Sequence, residues 1–131
     1  MFSDKCLVIK RKRQVKSYTD LEVWQRSHEV ALTFYRASLC RKKKVESFEI
    51  WSQGLRSTFS VPANIVEGYY SRKGKKFVSS LEIARGSAGE SHYWIRVLRE
   101  IGEISEDLAN RLSGEYEEII PMLSSIINKL K

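Results

Sequence analysis

The sequence predicts an all-α protein, an antiparallel up-down-up-down four-helix bundle. Apolar residues recur at steps of three and four along nearly the whole chain, and no stretch shows the alternation of a strand. The 131 residues suffice for one core, and with 42% hydrophobic and 30% charged residues the chain is too charged for a membrane bundle. Long amphipathic helices with short connections favour an up-and-down arrangement.

The helices are predicted at about residues 20–39, 49–69, 75–101 and 105–130, within a bundle of residues 18–131. Residues 1–17 have no apolar stripe and are predicted to form a flexible basic arm. Thr19 and Glu22 have the spacing of a capping box at the start of the first helix. The apolar stripe of this helix is predicted to comprise Leu21, Trp24, His28, Ala31, Leu32, Tyr35 and Leu39.

Glycine and proline mark features of the second and third helices. Pro62 predicts a kink near Phe59, and Gly68 with the polar residues 71–74 is predicted to end the second helix. Gly86 and Gly89 weaken the third helix, so we expect them to allow a neighbouring helix to approach closely.

The fourth helix has clear boundary signals. Gly102 is predicted to end the third helix, and Ser105 is predicted to cap the fourth. Pro121 falls inside the fourth stripe, which predicts one bent helix rather than two.

The net charge of +7 is unevenly distributed, since residues 1–76 carry 17 of the 23 basic residues but only 7 of the 16 acidic ones. Most of these basic residues stand in short clusters. Clusters of basic residues attract polyanions through counterion release, which does not read a base sequence. The plainer alternative is that they are solvated loops. We expect a polyanion partner, RNA or DNA, contacted by Lys10, Arg11, Lys12, Arg13, Arg41, Lys42, Lys43, Lys44, Arg72, Lys73, Lys75 and Lys76.

No catalytic, metal or cofactor motif is recognisable. His28 and Glu29 begin like a zinc-protease motif, but Leu32 stands where the second histidine is required. The glycines match no phosphate-binding loop, and no serine lies in a nucleophile elbow. Glu67 stands among apolar positions and is the acidic residue that the sequence best allows to be buried. A salt bridge to Arg56 or Arg72 is the plainer interpretation of its position. We expect a protein that is not an enzyme and needs no cofactor.

The sequence also predicts a soluble, cytoplasmic protein. No apolar run approaches the roughly 20 residues that span a bilayer, and the apolar stretch at residues 6–9 is too short for a signal peptide. Cys6 and Cys40 have no metal or redox spacing, which favours a reducing compartment.

Residues 55–68 (LRSTFSVPANIVEG) and 20–24 (DLEVW) resemble the four-helix-bundle proteins encoded in intervening sequences of bacterial 23S ribosomal RNA genes. The resemblance covers residues 18–131. It implies an antiparallel bundle that assembles as a ring-shaped homopentamer, and a structural motif at Pro62, Asn64, Glu67 and Gly68. The resemblance extends to the accessory variability determinant of diversity-generating retroelements, which binds nucleic acid and partners a reverse transcriptase.

Three functions remain open from the sequence. The first is a non-catalytic, oligomeric protein that binds RNA through phosphates and shape. The second is an accessory subunit that binds a reverse transcriptase and its template RNA. The third is a structural helical oligomer without nucleic acid. Some apolar residues fall off the predicted stripes and fit either subunit contacts or a wide core stripe, and the family resemblance favours subunit contacts: Val23, Val30, Phe34, Phe48, Ile50 and Trp94.

Overall fold

The computed structural model describes residues 15–42, 44–71 and 74–131. They form four α-helices and, in the described part of the chain, no β-strand, so the predicted all-α four-helix fold is confirmed. Each helix contacts the next one along the chain, and the first also contacts the last. The helices are α1 (Glu22–Leu39), α2 (Val45–Ser71), α3 (Gly74–Glu100) and α4 (Glu106–Leu130).

The chain enters the bundle earlier and differently than predicted. Ser17, not Thr19, provides the cap, and it caps a 3-10 turn, Tyr18–Asp20, in which Asp20 completes the capping box. α1 then starts after Leu21, which offers no side-chain cap. Val15 packs against the core, so the predicted arm of residues 1–17 extends too far. Its residues 1–14 lie outside the described part of the chain.

The buried face of α1 coincides with the predicted stripe only in part, because Leu21 and Ala31 are buried as predicted and other members are not. Val23, Val30 and Phe34 are in the core with at most 3% exposure, whereas Tyr35 and Leu39 are exposed. The prediction that Val23, Val30 and Phe34 mark subunit contacts is therefore wrong.

Buried serines explain this difference. Ser27 and Ser38 lie on the buried face of α1, and their hydroxyls donate to the carbonyl oxygens of Trp24 and Tyr35, at 3.1 and 2.6 Å. A serine satisfied by its own helix is buried at little cost and needs little space. Because the sequence pattern counts serine as polar, it shifts the predicted stripe toward Tyr35 and Leu39, although Ala31 lies on the buried face as predicted.

α2 begins at Val45, four residues before the predicted start. The buried Ser47 donates from its hydroxyl to the carbonyl oxygen of Lys44, which secures this additional turn. The helix continues through Pro62 to Ser71, so Gly68 does not end it. α4 likewise continues through Pro121, as predicted.

Two glycines of α2 allow close contact with the neighbouring helices. A Cβ atom at Gly54 would lie 2.4 Å from Cζ of Phe34 on α1, and one at Gly68 would lie 2.8 Å from Cδ1 of Phe77 on α3. Each aromatic ring therefore occupies the space of the missing side chain. The expectation that Gly86 and Gly89 serve this purpose is wrong, because a Cβ on either would meet nothing within 4 Å.

The connection between α3 and α4 confirms two predictions. Gly102 has a positive φ of 81°, which favours glycine, and its amide bonds the carbonyl of Arg99 while that of Glu103 bonds the carbonyl of Leu98. The hydroxyl of Ser105 accepts from the amide of Leu108 at 3.1 Å, as a helix cap. This connection is also tied to α2, because the indole of Trp51 donates to the Glu103 carboxylate at 2.9 Å.

Tyr116 brings a polar group into the core. Its ring is buried, and its hydroxyl has no hydrogen-bond partner among the described residues. Burial raises the pKa of the Tyr116 phenol, and the nearby Ser91 hydroxyl, which does not reach hydrogen-bond geometry with it, offsets only part of this rise. The Ser91 oxygen itself lies 2.9 Å from Ser57 Oγ and 2.8 Å from the carbonyl oxygen of Ser87.

We expect Gly54→Ala to lower the free energy of unfolding, measured in urea. Overpacking a core costs about 1–3 kcal/mol, and the added Cβ would lie only 2.4 Å from Cζ of the buried Phe34 ring, so we expect a cost in the upper part of that range. This cost exceeds the gain of about 1 kcal/mol in helix propensity when glycine is replaced by alanine. The matched control, Gly86→Ala, has room for its methyl group and should raise the free energy of unfolding by about 1 kcal/mol. Equal effects of the two substitutions would contradict the packing account.

We expect Tyr116→Phe to be at least as stable as the wild type, because it removes an unpartnered polar group without changing the ring. The difference should grow above about pH 10, where tyrosine ionises in the unfolded wild type but stays protonated in the fold. Alkaline unfolding monitored by circular dichroism measures both effects. A loss of stability in the variant near neutral pH would show that the hydroxyl has a partner.

Candidate nucleic-acid interface

The predicted basic residues that the structure describes lie at the two ends of α2. Arg41, Lys42 and Lys44 form the connection that follows α1, as the sequence predicts for a basic run that interrupts a stripe. Lys75 and Lys76 are exposed in the first turn of α3. The other predicted contacts lie outside the described residues: Lys10, Arg11, Lys12, Arg13, Lys43, Arg72 and Lys73.

The two groups do not form one patch. They are separated by the 27 residues of α2, which at 1.5 Å per residue measure about 40 Å. The described members of the predicted basic set therefore lie at two distant places, and a single small anion cannot contact both.

None of these five described cations is neutralised by a described carboxylate within ion-pair distance. Acidic residues of α3 and α4 are instead paired with other cations. These pairs are Arg26 with Glu115 and Glu118, His92 with Glu117, Arg96 and Arg99 with Glu100, and Lys131 with Glu82.

Arg26 shows how such pairing neutralises a cation. Its guanidinium lies 3.1 Å from Glu115 and 2.6 Å from Glu118, and so links α1 to α4. Partial burial lowers the pKa of Arg26, but the hydrogen bonds to Glu118 and Glu115 and the negative charges of these two carboxylates together outweigh burial and raise the pKa. The described cations near the two ends of α2 have no described carboxylate within ion-pair distance, so their field reaches the solvent.

Arg41 is the best-positioned cation of the first connection. Its Nη1 donates to the carbonyl oxygen of Ser38 at 3.2 Å, at the C-terminal end of α1, where a cation is favourable. The guanidinium carbon lies 5.9 Å from the ring centroid of Phe48. From the sequence, Phe48 was predicted to contact another subunit. The only sequence signal that it lies beside Arg41 is its position four residues after the basic run.

The four residues of the predicted structural motif have separate roles. Pro62 and Gly68 are buried, and Gly68 receives the ring of Phe77. The side-chain amide of Asn64 donates to the carbonyl and hydroxyl oxygens of Ser60, at 2.8 and 3.0 Å. Glu67 is exposed, which rules out the buried acid considered from the sequence.

A groove of about 440 Å³ lies between α1 and α4, lined by Arg26, Glu29, Arg111 and Glu115 among others. Thr33, the hydroxyl in this groove, donates to the carbonyl oxygen of Glu29 in its own helix. Within residues 15–42, 44–71 and 74–131, no three His, Cys, Asp or Glu side chains converge as metal ligands.

The histidines are engaged with neighbouring side chains. The His28 ring stacks on Trp24 with centroids 4.6 Å apart, and His92 Nε2 lies 3.0 Å from a Glu117 oxygen. Cys40 is a free, exposed thiol, while Cys6 lies outside the described residues. Across the described helices, none is long and apolar enough to cross a membrane.

Known proteins resemble this chain both in sequence and in fold. The sequence pattern of the 23S rRNA-intervening sequence proteins matches residues 19–125. The chain belongs to this family. A crystal structure from Bacteroides thetaiotaomicron, a protein of unknown function from the S23 ribosomal protein family, is similar at 30% identity with a TM-score of 0.73. The similarity covers 80% of this chain and 97% of that one. No curated protein matches the sequence.

Membership of the 23S rRNA-intervening sequence family confirms the resemblance seen at residues 20–24 and 55–68. The similar structure supports the four-helix fold independently. Because that protein is itself of unknown function, the function of this chain is inferred from its own residues.

Proposed function

We propose that this protein is a non-catalytic, oligomeric RNA-binding protein of the cytoplasm, which contacts phosphates through the basic connections of its helical bundle. The observation that carries the proposal is the clustering of Arg41, Lys42, Lys44, Lys75 and Lys76 at two places on the surface, where no described carboxylate lies within ion-pair distance of any of them. Positive charge left without a counter-charge in this way is available to an external polyanion.

Phosphates are the polyanion contact that fits these residues best. Lysines on exposed connections reach a phosphate backbone without needing a groove, and each contact releases condensed counterions. Contacts of this type position a nucleic acid and do not read its sequence. The protein therefore binds RNA by backbone and shape.

The proposal includes an antiparallel order of the helices. It is supported by pairs of contacting residues that run in opposite directions along neighbouring helices. Ser57 lies beside Ser91 and Ser60 beside Ser87, while on the next pair of helices Arg85 contacts Ser124 and His92 contacts Glu117. In this order the two basic groups occupy opposite ends of the bundle.

The oligomer is the second part of the proposal. It is supported by exposed large apolar residues on and just after α3, namely Ile83, Tyr93 and Ile101, and by Trp94, which is only partly buried. Exposed apolar side chains along one helix suit contacts between copies of the chain, in the ring-shaped homopentamer that the family resemblance implies. Copies in a ring repeat each basic group, so individually weak phosphate contacts add by multivalency.

The same apolar residues are the natural contact for a reverse transcriptase, the alternative partner. In this alternative the protein contacts RNA in the same way, but the apolar residues of α3 bind a reverse transcriptase instead of other copies of the chain.

We expect the affinity for structured RNA to fall steeply between about 50 and 200 mM salt, because binding depends on counterion release. Lys42→Ala combined with Lys44→Ala should reduce the slope of log affinity against log salt by up to about 2, since each of the two lysines neutralises one phosphate. Fluorescence anisotropy with labelled RNA measures this slope. Arg96→Ala, which removes an exposed cation of α3 that is already paired with Glu100, is the matched control and should leave the slope unchanged. An affinity independent of salt would overturn the proposal.

We expect light scattering at micromolar concentration to give the mass of several chains. Ile83→Arg should lower this mass, because it places a charge among apolar contacts, whereas Asn128→Arg adds the same charge at an exposed site of α4 and should not. A monomeric wild type would contradict the oligomer. An unchanged mass for Ile83→Arg would exclude α3 as the contact.

A further inference from the structure

The connection between α1 and α2 holds an aromatic ring as well as cations. Phe48 is 55% exposed and Val45 is 90% exposed, directly beside Arg41 and Lys44. These four residues line a depression of about 340 Å³. An exposed phenylalanine among cations is not explained by phosphate binding, since phosphate offers nothing to an apolar ring.

A nucleobase does fit this combination of groups. Each base has an apolar π face that stacks on aromatic side chains, and it is attached to a phosphate that a nearby cation can hold. Arginine adds to such a site because its planar guanidinium also stacks on bases.

The spacing of Arg41 and Phe48 is close to that of a base sandwich. Their separation is 5.9 Å from guanidinium carbon to ring centroid. A base stacked between them needs roughly 7 Å, twice the 3.4 Å repeat of stacked bases. The hydrogen bond from Nη1 to the Ser38 carbonyl holds the side chain beside Phe48 in the free protein, and a movement of about 1 Å that releases this bond supplies the difference.

We propose that this depression binds one unpaired base of an RNA, stacked between the ring of Phe48 and the guanidinium of Arg41, with the adjoining phosphates on Lys42 and Lys44. The inference rests on the proposed RNA binding and deepens it, because it names single-stranded or looped RNA as the preferred form. A paired base inside a duplex has both faces covered and cannot enter.

The test compares a short single-stranded oligoadenylate with an RNA duplex of equal length, each labelled and titrated with the full chain at one salt concentration. Phe48→Ala should lower the affinity for oligoadenylate about tenfold and leave the affinity for the duplex unchanged. It should also leave the salt dependence unchanged, because no charge is removed. Circular dichroism verifies that the variant is folded.

Two further variants isolate the ring. Phe48→Trp retains a stacking surface and should keep the affinity for oligoadenylate, and the fluorescence of the new tryptophan should be quenched when the base stacks on it. Val45→Ala removes exposed apolar surface from the same depression without removing a ring, and should change the affinity by less than about twofold.

The outcomes separate this inference from the proposed function. Salt-dependent binding of both RNAs that is unaffected by Phe48→Ala overturns the stacked base and leaves the RNA-binding proposal standing. Equal losses of affinity with Phe48→Ala and Val45→Ala also overturn it, since the surface would then be a general apolar contact. Weaker binding of Phe48→Ala to anionic phospholipid vesicles, with unchanged affinity for oligoadenylate, would overturn it and assign the depression to a lipid surface. If the wild type binds neither RNA, the proposed function itself is wrong.

Discussion

The close approach of α2 to its two neighbours is the constraint on which the rest of the structure depends. Gly54 and Gly68 lie 14 positions apart on α2, and each leaves room for one buried ring, Phe34 of α1 and Phe77 of α3. A side chain at either position would force a buried ring to move, and closely packed interiors do not absorb such changes freely. Buried serines extend the same close packing, because their hydroxyls bond within their own helices or to each other.

This packing determines where charge can be placed. The interior accepts small polar groups but no unpaired ion, so charge is confined to exposed helix faces and connections. On the helix faces, opposite charges lie within reach of each other and form pairs such as Arg26 with Glu115 and Glu118. In the connections at the two ends of α2, the described cations have no described carboxylate within ion-pair distance. The proposed polyanion surface is thus a consequence of the position of the basic residues in the fold.

Sequence patterns succeed and fail in this protein for identifiable reasons. The buried residues of α3 and α4 recur mostly at steps of three and four, from Phe77 to Leu98 and from Ala109 to Ile127, as the helical periodicity of the sequence predicts. On α1, the pattern is misleading because Trp24, Tyr35 and Leu39 are apolar but do not form the core face. The core face of α1 contains two serines. The role of each glycine also depends on its neighbours, because a glycine that admits a ring and one that faces open space look the same in a sequence.

The sequence by itself determined the fold class, the number of helices, the capping at Gly102 and Ser105, and the concentration of basic residues before Phe77. These follow from local periodicity, backbone preferences and composition, which need no knowledge of distant contacts. Only the tertiary structure decided which face of α1 is buried, which glycines admit a neighbouring helix, and that Phe48 lies beneath Arg41 at the basic connection. Those features depend on the relative positions of different helices and turns, and a linear pattern does not record the distances between them.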